Sequence, residues 1–339
     1  MSNKKRIVVI IGPNASGKSS LAVKLAKKIN GEIISADSRQ VYKNLDIGSG
    51  KITKKEMGDI PHHCLDIASP KKIFTAYDFK NRAQKAMQKI WAKNKIPIIV
   101  GGTGFYIDAA IDRVTLSNTP PNPKLRKRLS KYSTQKLFLM LKKLDPKRAK
   151  NIDKNNKVRL IRAIEIAQER HTFSQTDNSS APAAADYLHS RCENCLLRYY
   201  TSKRQADQAF RTCESSSKMY DALSQVNIIW IGIKRSPEDL KKRIHKRLLQ
   251  RLQGIIREIK KLRKNRVSWK RLFDLGLEYR YVSLYIRGML NKSEMIKKLE
   301  SEINKYAKRQ MTYFKRNKKI HWIGSEKKAK KLGQRFALA

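Results

Sequence analysis

A short segment near the start of the chain has the residue types and spacing of a phosphate-binding loop. Residues 12–19 read GPNASGKS, which matches the pattern G-x-x-x-x-G-K-[ST]. The glycines let the backbone curl so that successive N–H groups point at one phosphate, and the helix that follows adds the positive end of its dipole. Lys18 would bring a full positive charge to the outer phosphate, and Ser19 could hold Mg²⁺ through its hydroxyl. The phosphate-binding loop therefore predicts a diphosphate or triphosphate site with Mg²⁺ as its cofactor.

Two further polar side chains are expected close to this loop. Asp37 follows the predicted strand Glu32–Ala36, and Thr103 follows the predicted strand Pro97–Val100. Because the carboxyl ends of the strands in an open parallel sheet face one crevice, we expect Lys18, Asp37 and Thr103 to converge around the phosphates. Asp37 could hold a metal, take a proton from a nucleophile or cap the N-terminus of a helix, and the pattern alone leaves these roles open.

The loop by itself is compatible with other functions. An enzyme that transfers phosphate from ATP usually has an aspartate at the end of a second apolar strand, where it helps to hold the metal. Here the best candidate strand ends in Gly101-Gly102-Thr103-Gly104, without a carboxylate. A P-loop kinase that uses ATP is one alternative, and a non-catalytic nucleic-acid-binding protein with a degenerate loop is another. The intact loop disfavours the second alternative.

The elements that must position these residues alternate between strand and helix. Short apolar segments rich in β-branched residues predict strands at Arg6–Ile11, Glu32–Ala36 and Pro97–Val100. The periodic segments between them predict helices at Lys18–Ile29 and Tyr77–Trp91. This alternation is typical of a parallel sheet covered by helices. A later apolar segment, Asn227–Ile233, predicts a strand that returns the chain to the same sheet.

We therefore predict the α/β class: a P-loop NTPase-like parallel sheet covered by helices, with an inserted, mainly helical domain. Residues 1–114 would form the first part of the core and residues 115–225 the inserted domain, which contains a low-complexity stretch at about 174–217. Residues 226–323 would supply the returning strand and basic C-terminal helices, and residues 324–339 a tail. The low-complexity stretch has candidate zinc ligands, with free thiols as the alternative, at His189, Cys192, Cys195 and Cys213.

The charge of the chain narrows the class of partner. It has 339 residues with 76 Lys and Arg against 28 Asp and Glu, a formal net charge of +48. Such an excess indicates an anionic partner, with nucleic acid first and an anionic membrane surface second. No stretch approaches the ~20 apolar residues of a membrane-spanning helix. Four cysteines in a chain of this length do not make a disulfide framework, so we expect a reducing, cytoplasmic location.

Six segments taken together resemble the tRNA dimethylallyltransferases, also called tRNA isopentenyltransferases. In chain order they are GPNASGKS at 12–19, ISADSRQVY at 34–42, IIVGGTGFY at 98–106, KVRLIRAIEI at 157–166, DLGLEYR at 274–280 and KYAKRQMTYFKRNKKIHWI at 305–323. The resemblance covers nearly the whole chain except about 174–217. It implies that dimethylallyl diphosphate gives its five-carbon group to the exocyclic amine of the adenine 3′-adjacent to the anticodon. The loop would then hold a diphosphate leaving group, and tRNA would be the polyanion.

The resemblance also implies roles for individual residues. The diphosphate would contact Gly12, Pro13, Asn14, Ala15, Ser16, Gly17, Lys18, Ser19 and Arg247, with Arg243 as the alternative to Arg247. Asp37 would be the general base and Thr103 would contact the reacting centre. The anticodon stem-loop of tRNA would contact Asp37, Ser38, Arg39, Gln40, Thr103, Arg126, Val158, Arg159, Leu160, Ile161 and Arg162, with a shift of one residue open at Arg126. We expect no membrane association and a monomer.

Overall fold

The computed structural model describes residues 5–117, 119–176 and 226–338, with residues 170–176 described by their backbone alone. These residues divide into two compact units. One contains the residues up to 114 and from 226 onward, and the other contains residues 115–176. The low-complexity stretch beyond residue 176 and its candidate zinc ligands lie outside the described residues.

The first unit is built on a parallel sheet. In the described residues the sheet has six strands in the order β3-β2-β4-β1-β5-β6, and every neighbouring pair is parallel. The strands are β1 (Arg6–Ile11), β2 (Gly31–Ala36), β3 (His62–His63), β4 (Ile96–Gly101), β5 (Asn227–Ile233) and β6 (Ile320–Ile323). The predicted fold class is therefore confirmed, including the return of the chain at β5. Sequence analysis missed the short edge strands β3 and β6.

Both faces of the sheet are buried, which explains the continuous apolar runs in its strands. On β1, Ile7, Val9 and Ile11 contribute to one core, while Val8 and Ile10 contribute to the other. The first helices of the unit are α1 (Lys18–Lys28), α2 (Lys54–Met57), α3 (Ala76–Trp91) and α4 (Gly104–Ala110). Buried side chains of α1 pack in the second core and those of α3 in the first.

The second unit is helical in its described part. Its helices are α5 (Pro123–Leu129), α6 (Thr134–Leu144), α7 (Pro146–Lys150) and α8 (Lys157–Thr176). They enclose a small core of Leu129, Leu137, Leu141, Ala149, Leu160, Ala163 and Ile164. The side chains of α8 in this core recur every three or four residues, as expected for one face of a helix.

After β5 the chain continues in the first unit as a series of helices. They are α9 (Pro237–Lys264), α10 (Trp269–Leu275), α11 (Leu277–Ile286), α12 (Lys292–Phe314) and, after β6, α13 (Glu326–Leu338). The segment predicted as a tail thus forms a helix, because Ala329, Leu332 and Phe336 make an apolar face that packs in the second core. None of the helices in the described ranges is long and apolar enough to cross a membrane.

Candidate active site

The phosphate-binding loop leaves β1 and enters α1 with a backbone that few residues adopt easily. Gly17 has φ 94° and precedes the first residue of α1. This left-handed conformation is favourable for glycine, which has no Cβ to clash. No side chain caps the N-terminus of α1, so its first N–H groups stay available. The local structure is therefore suited to binding an anion, as the sequence pattern predicts.

A side chain from the C-terminal part of the chain fixes the position of this loop. The Oε1 atom of Gln310 on α12 accepts a hydrogen bond from the backbone N–H of Asn14 at 3.0 Å. The Nε2 atom of Gln310 donates to the carbonyl oxygen of Gly102 at 2.9 Å. Gln310 is buried and thus connects the loop to the end of β4. Sequence analysis did not assign it a role, because a pattern of motifs does not show which distant side chain braces a loop.

The side chain of Lys18 lies in a pocket at the carboxyl ends of the strands. It lines this pocket together with Asp37 and Arg247, and its Nζ donates to the carbonyl oxygen of Pro13 at 3.2 Å. Loss of water around the ammonium lowers the pKa of Lys18 to about 8, although Asp37 acts in the opposite direction. Among the described residues, no carboxylate lies within ion-pair distance of Nζ. The pocket therefore offers a positive charge that a bound anion would stabilise.

We expect this charge to make anion binding dependent on pH. The affinity of the protein for inorganic diphosphate should fall as pH rises through about 8, because Lys18 then loses its proton. Calorimetric titration with inorganic diphosphate between about pH 7 and 9.5 measures the loss, which is at most about tenfold per pH unit. A Lys18→Arg variant keeps its charge over this range and serves as the control. A wild-type curve that matches that of Lys18→Arg would contradict the prediction.

Asp37 has a capping role in the structure, at a turn rather than at the N-terminus of a helix. Its Oδ1 atom accepts hydrogen bonds from the backbone N–H groups of Arg39 at 2.9 Å and Gln40 at 3.3 Å, so it caps the turn after β2. The hydrogen bonds that Asp37 makes within the described residues all use Oδ1. The carboxylate lines the pocket and is half-buried. Its second oxygen is thus available to a ligand while the first holds the turn.

Thr103 is held beside Asp37 by a close approach of two strand ends. A Cβ on Gly101 would lie 2.1 Å from the carbonyl oxygen of Ala36, so only glycine lets β4 approach β2 at this point. The Thr103 Oγ1 atom then accepts a hydrogen bond from the backbone N–H of Ser38 at 3.1 Å. Tyr306 of α12 also lies here: burial and the Asp37 carboxylate raise the pKa of Tyr306, while a hydrogen bond with Thr103 lowers it. Tyr306 is a site neighbour that sequence analysis did not assign.

The structure distinguishes between the two arginines, Arg247 and Arg243, that were alternatives for contact with the diphosphate. Arg247 lines the pocket, and its Nη2 donates to the carbonyl oxygen of Gly50 at 3.3 Å. Arg243 is exposed, and its Nε donates to Asp239 at 2.9 Å. Arg251, one turn further along α9, also lines the pocket and has a buried Nη2 atom without a hydrogen-bond partner in the described structure. Its spacing of four residues from Arg247 is the signal that could have found it.

A large part of the pocket lining is aliphatic. Its aliphatic side chains include Ile33, Ile52, Val100, Ile244, Leu248, Ile255 and Ile303. Glu278 also lines the pocket, and burial raises the pKa of its carboxyl group. The lining of the pocket thus includes both cationic groups and hydrocarbon side chains. This combination suits a ligand with a phosphate head and a short hydrocarbon group.

The predicted tRNA-contacting residues of the first unit also have roles within the fold. The Nε atom of Arg39 donates to the carbonyl oxygen of Leu275 at 2.7 Å. The side chain of Gln40 accepts from Ser35 Oγ at 2.9 Å and donates to the carbonyl oxygen of Gly50 at 3.3 Å. Both side chains are half-buried, so part of each is still exposed.

In the second unit, the residues of the predicted tRNA-contacting segment Val158–Arg162 differ in their exposure to solvent. Val158 is 77% exposed and Arg159 is exposed, whereas Leu160 is fully buried in the core of the unit. The helical period turns the Leu160 side chain into the core, so a contact of this residue to tRNA would have to use its backbone. Ile161 is half-buried against the same core, and Arg162 and Arg126 both contact Glu165.

The fold and the pocket define a P-loop α/β protein whose pocket, at the carboxyl edge of its sheet, is lined by cationic and aliphatic side chains. A family model described as IPP transferase matches residues 40–317. The chain belongs to the IPP transferase family.

Individual relatives match over nearly the whole chain. The tRNA dimethylallyltransferase 2 of Treponema denticola is 36% identical over 329 residues, which are 95% of this chain and 97% of that protein. The tRNA dimethylallyltransferase 2 of Trichlorobacter lovleyi is 35% identical over 327 residues, which are 95% of this chain and 93% of that protein.

Solved structures agree with this assignment. The full-length tRNA isopentenylpyrophosphate transferase of Bacillus halodurans is similar with a TM-score of 0.63 and 30% identity, covering 98% of this chain and 96% of that one. A eukaryotic dimethylallyltransferase acting on tRNA has a TM-score of 0.68 at 23% identity, covering 94% of this chain and 73% of that one. At that identity the second likeness shows a shared fold.

Proposed function

We propose that this chain transfers the dimethylallyl group of dimethylallyl diphosphate to the exocyclic amine of the adenine 3′-adjacent to the anticodon in tRNA. The observation that supports this most is the single pocket in which Lys18, Arg247 and Asp37 stand beside an aliphatic wall. The family of the chain and its net charge of +48 agree with a tRNA substrate. We also propose that the protein acts as a monomer. The tRNA substrate and the cysteine usage support a cytoplasmic location.

The cationic part of the pocket would favour departure of the diphosphate. The bond between the allylic carbon and the diphosphate oxygen breaks, and the bonding electron pair leaves with the diphosphate. Lys18, Arg247, Arg251 and the N–H groups of the loop stabilise the charge that develops on it. The aliphatic wall surrounds the five-carbon group and keeps water away from it.

Mg²⁺ is the cofactor that the site would take. No group of three or more His, Cys, Asp or Glu in the described residues could hold a metal without help. The donors present fit Mg²⁺, which typically takes one or two protein oxygens plus substrate phosphates and water. Ser19 lines the pocket and would supply one oxygen through its hydroxyl, while the diphosphate and water would supply the others. When bound, the ion would neutralise charge on the diphosphate.

Asp37 would act on the acceptor. The exocyclic amine of adenine is a poor nucleophile because its lone pair is delocalised into the ring. The free carboxylate oxygen would accept the amine proton as the nitrogen–carbon bond forms, while Oδ1 keeps the turn in place. To reach this carboxylate, the adenine must leave its stack in the anticodon loop. Thr103, beside Asp37, would help to orient it.

Exposed and half-buried residues of each unit, several of them basic, would hold the rest of the tRNA. We assign this role to Ser38, Arg39 and Gln40 in the first unit and to Arg126, Val158, Arg159, Ile161 and Arg162 in the second. Contacts to phosphate set affinity and register without reading base sequence.

We expect tRNA binding to weaken steeply with salt. Several neutralised phosphates give a slope on the order of −5 or steeper for log K against log salt concentration. Filter binding of unmodified tRNA over a salt series measures this slope. As a control, the Michaelis constant for dimethylallyl diphosphate should change less, since fewer charges take part. A flat response of tRNA binding would contradict the proposed basic interface.

A label-transfer experiment separates the proposal from its alternatives. The protein is incubated with unmodified tRNA and dimethylallyl diphosphate labelled in its hydrocarbon part, and in parallel with ATP labelled in the γ-phosphate. The proposal predicts that tRNA acquires label from the first donor only. Transfer of phosphate to any acceptor would support a kinase. Binding of tRNA without transfer from either donor would support a non-catalytic binding protein.

A further inference from the structure

A buried carboxylate in the second unit holds two arginines at once. The Glu165 side chain on α8 is 2% exposed, while the side chains of Arg126 and Arg162 are 42% and 32% exposed. Its Oε1 accepts from Arg126 Nε at 3.0 Å, and its Oε2 accepts from Arg126 Nη2 and from Arg162 Nη1, each at 2.7 Å. Arg126 therefore donates two parallel hydrogen bonds to the carboxylate, and this bidentate arrangement fixes the orientation of its guanidinium.

The same carboxylate also orders the backbone around the arginines. Glu165 Oε1 accepts from the backbone N–H of Asn122 at 2.6 Å, at the start of α5. Arg162 Nη2 donates to the carbonyl oxygen of Thr119 at 2.8 Å. Burial raises the pKa of Glu165, but the hydrogen bonds from Arg126, Asn122 and Arg162 outweigh it and the net pKa is lowered. The carboxylate thus stays charged at neutral pH.

Each arginine keeps donors for a ligand. A guanidinium has five N–H donors, and Arg126 and Arg162 each use two of them in these contacts. Arg126 Nη2 and Arg162 Nη1 share one acceptor atom, so they lie no further apart than the two 2.7 Å hydrogen bonds allow. Without Glu165, two such charges would repel each other and occupy separate rotamers. With it, they form one preorganised group with a net positive charge.

We propose that Glu165 is a positioning residue for tRNA: it fixes Arg126 and Arg162 so that their remaining N–H groups bind the phosphate backbone together. The inference rests on the proposed function, in which both arginines contact tRNA. Glu165 itself is buried and touches no substrate. Fixing the two side chains before binding removes the cost of ordering them at the moment of binding.

The proposal can be tested by the sign of one effect. Removing a negative charge from a basic surface should strengthen binding to a polyanion if charge alone matters. Glu165→Gln should instead weaken tRNA binding by about tenfold, because two arginines lose their fixed geometry. The dissociation constant is measured by filter binding without donor. The Michaelis constant for tRNA should rise in parallel, while kcat at saturating tRNA and the Michaelis constant for dimethylallyl diphosphate should stay within about twofold.

Two further variants make the result specific. Asp153→Asn removes an exposed acid in the same unit and should leave tRNA binding unchanged or slightly tighter. A double-mutant cycle of Glu165→Gln with Arg126→Gln should show strong coupling, since one acts through the other. Unchanged or tighter tRNA binding in folded Glu165→Gln, or additive effects in the cycle, would overturn the proposal.

If Glu165→Gln does not fold, Arg126→Lys decides the question. Lysine keeps the net charge and the ion pair with Glu165 but lacks the planar fork. It should weaken tRNA binding by several-fold, and an unchanged dissociation constant would overturn the proposal. Failure of wild-type protein to transfer label to tRNA would instead refute the proposed function, so the two failures are distinguishable.

Discussion

Asp37→Asn is expected to lower the single-turnover rate of dimethylallyl transfer by about 10²–10⁴-fold, the usual contribution of a general base. Asparagine keeps the shape of the side chain, and its oxygen can still accept the hydrogen bonds of Arg39 and Gln40. The turn after β2 should therefore stay intact, while the proton of the adenine amine has no acceptor. Rapid-quench assays with tRNA and donor both saturating measure the chemical step without interference from binding.

Comparison with two other variants shows whether the effect is chemical. Asp37→Ala should lose a similar amount of rate and also about 1 kcal/mol of stability, because it removes the cap. Asp145→Asn changes another capping aspartate, at the start of α7 in the second unit, and should leave the rate unchanged. A near-wild-type rate in Asp37→Asn would contradict the general-base role and leave Asp37 with a structural role only.

Lys18→Ala is expected to have the second large effect, on the donor. We expect kcat/KM for dimethylallyl diphosphate to fall by about 10–100-fold, since a charged hydrogen bond to phosphate contributes about 1.5–3 kcal/mol. The Michaelis constant should rise and kcat should fall, because the charge assists binding as well as departure of the diphosphate. Steady-state kinetics with varied donor at saturating tRNA measure both values.

The control for this variant lies on the same helix. Lys24→Ala removes an exposed lysine of α1 that pairs with Glu326, and it should leave donor kinetics unchanged. The dissociation constant for tRNA should change by no more than about twofold in Lys18→Ala. Collapse of tRNA binding with normal donor kinetics would show that the loop is not the donor site.

The parts of the fold that sequence predicted are those with long, uninterrupted signals. β1, β2, β4 and β5 are buried on both faces, and each contains adjacent β-branched residues that mark it as a strand. β3 has two residues, too few for any periodicity. β6 is an edge strand of only four residues and follows a basic helix. In α13 the few apolar residues are interspersed with lysines, so its apolar face is not evident from the sequence. Short elements depend on tertiary contacts, which composition does not reveal.

The site was predictable where its residues lie in short motifs that directly follow strands. Lys18 and Asp37 line one pocket, as the parallel sheet requires, and Thr103 lies beside Asp37 through the N–H of Ser38. Gln310, Tyr306 and Arg251 reach the same place from helices more than 130 residues later in the chain. Their positions follow from how α9 and α12 pack on the sheet. No local pattern gives that packing.

Transfer of a five-carbon group to one adenine of tRNA can be measured directly on the modified tRNA. Unmodified tRNA is incubated with the protein and dimethylallyl diphosphate, digested with nucleases and examined by mass spectrometry. We expect the adenosine 3′-adjacent to the anticodon to gain one dimethylallyl group on its exocyclic amine, with one diphosphate released per group transferred. A tRNA that stays unmodified under these conditions, or a group found on another nucleotide, would contradict this expectation.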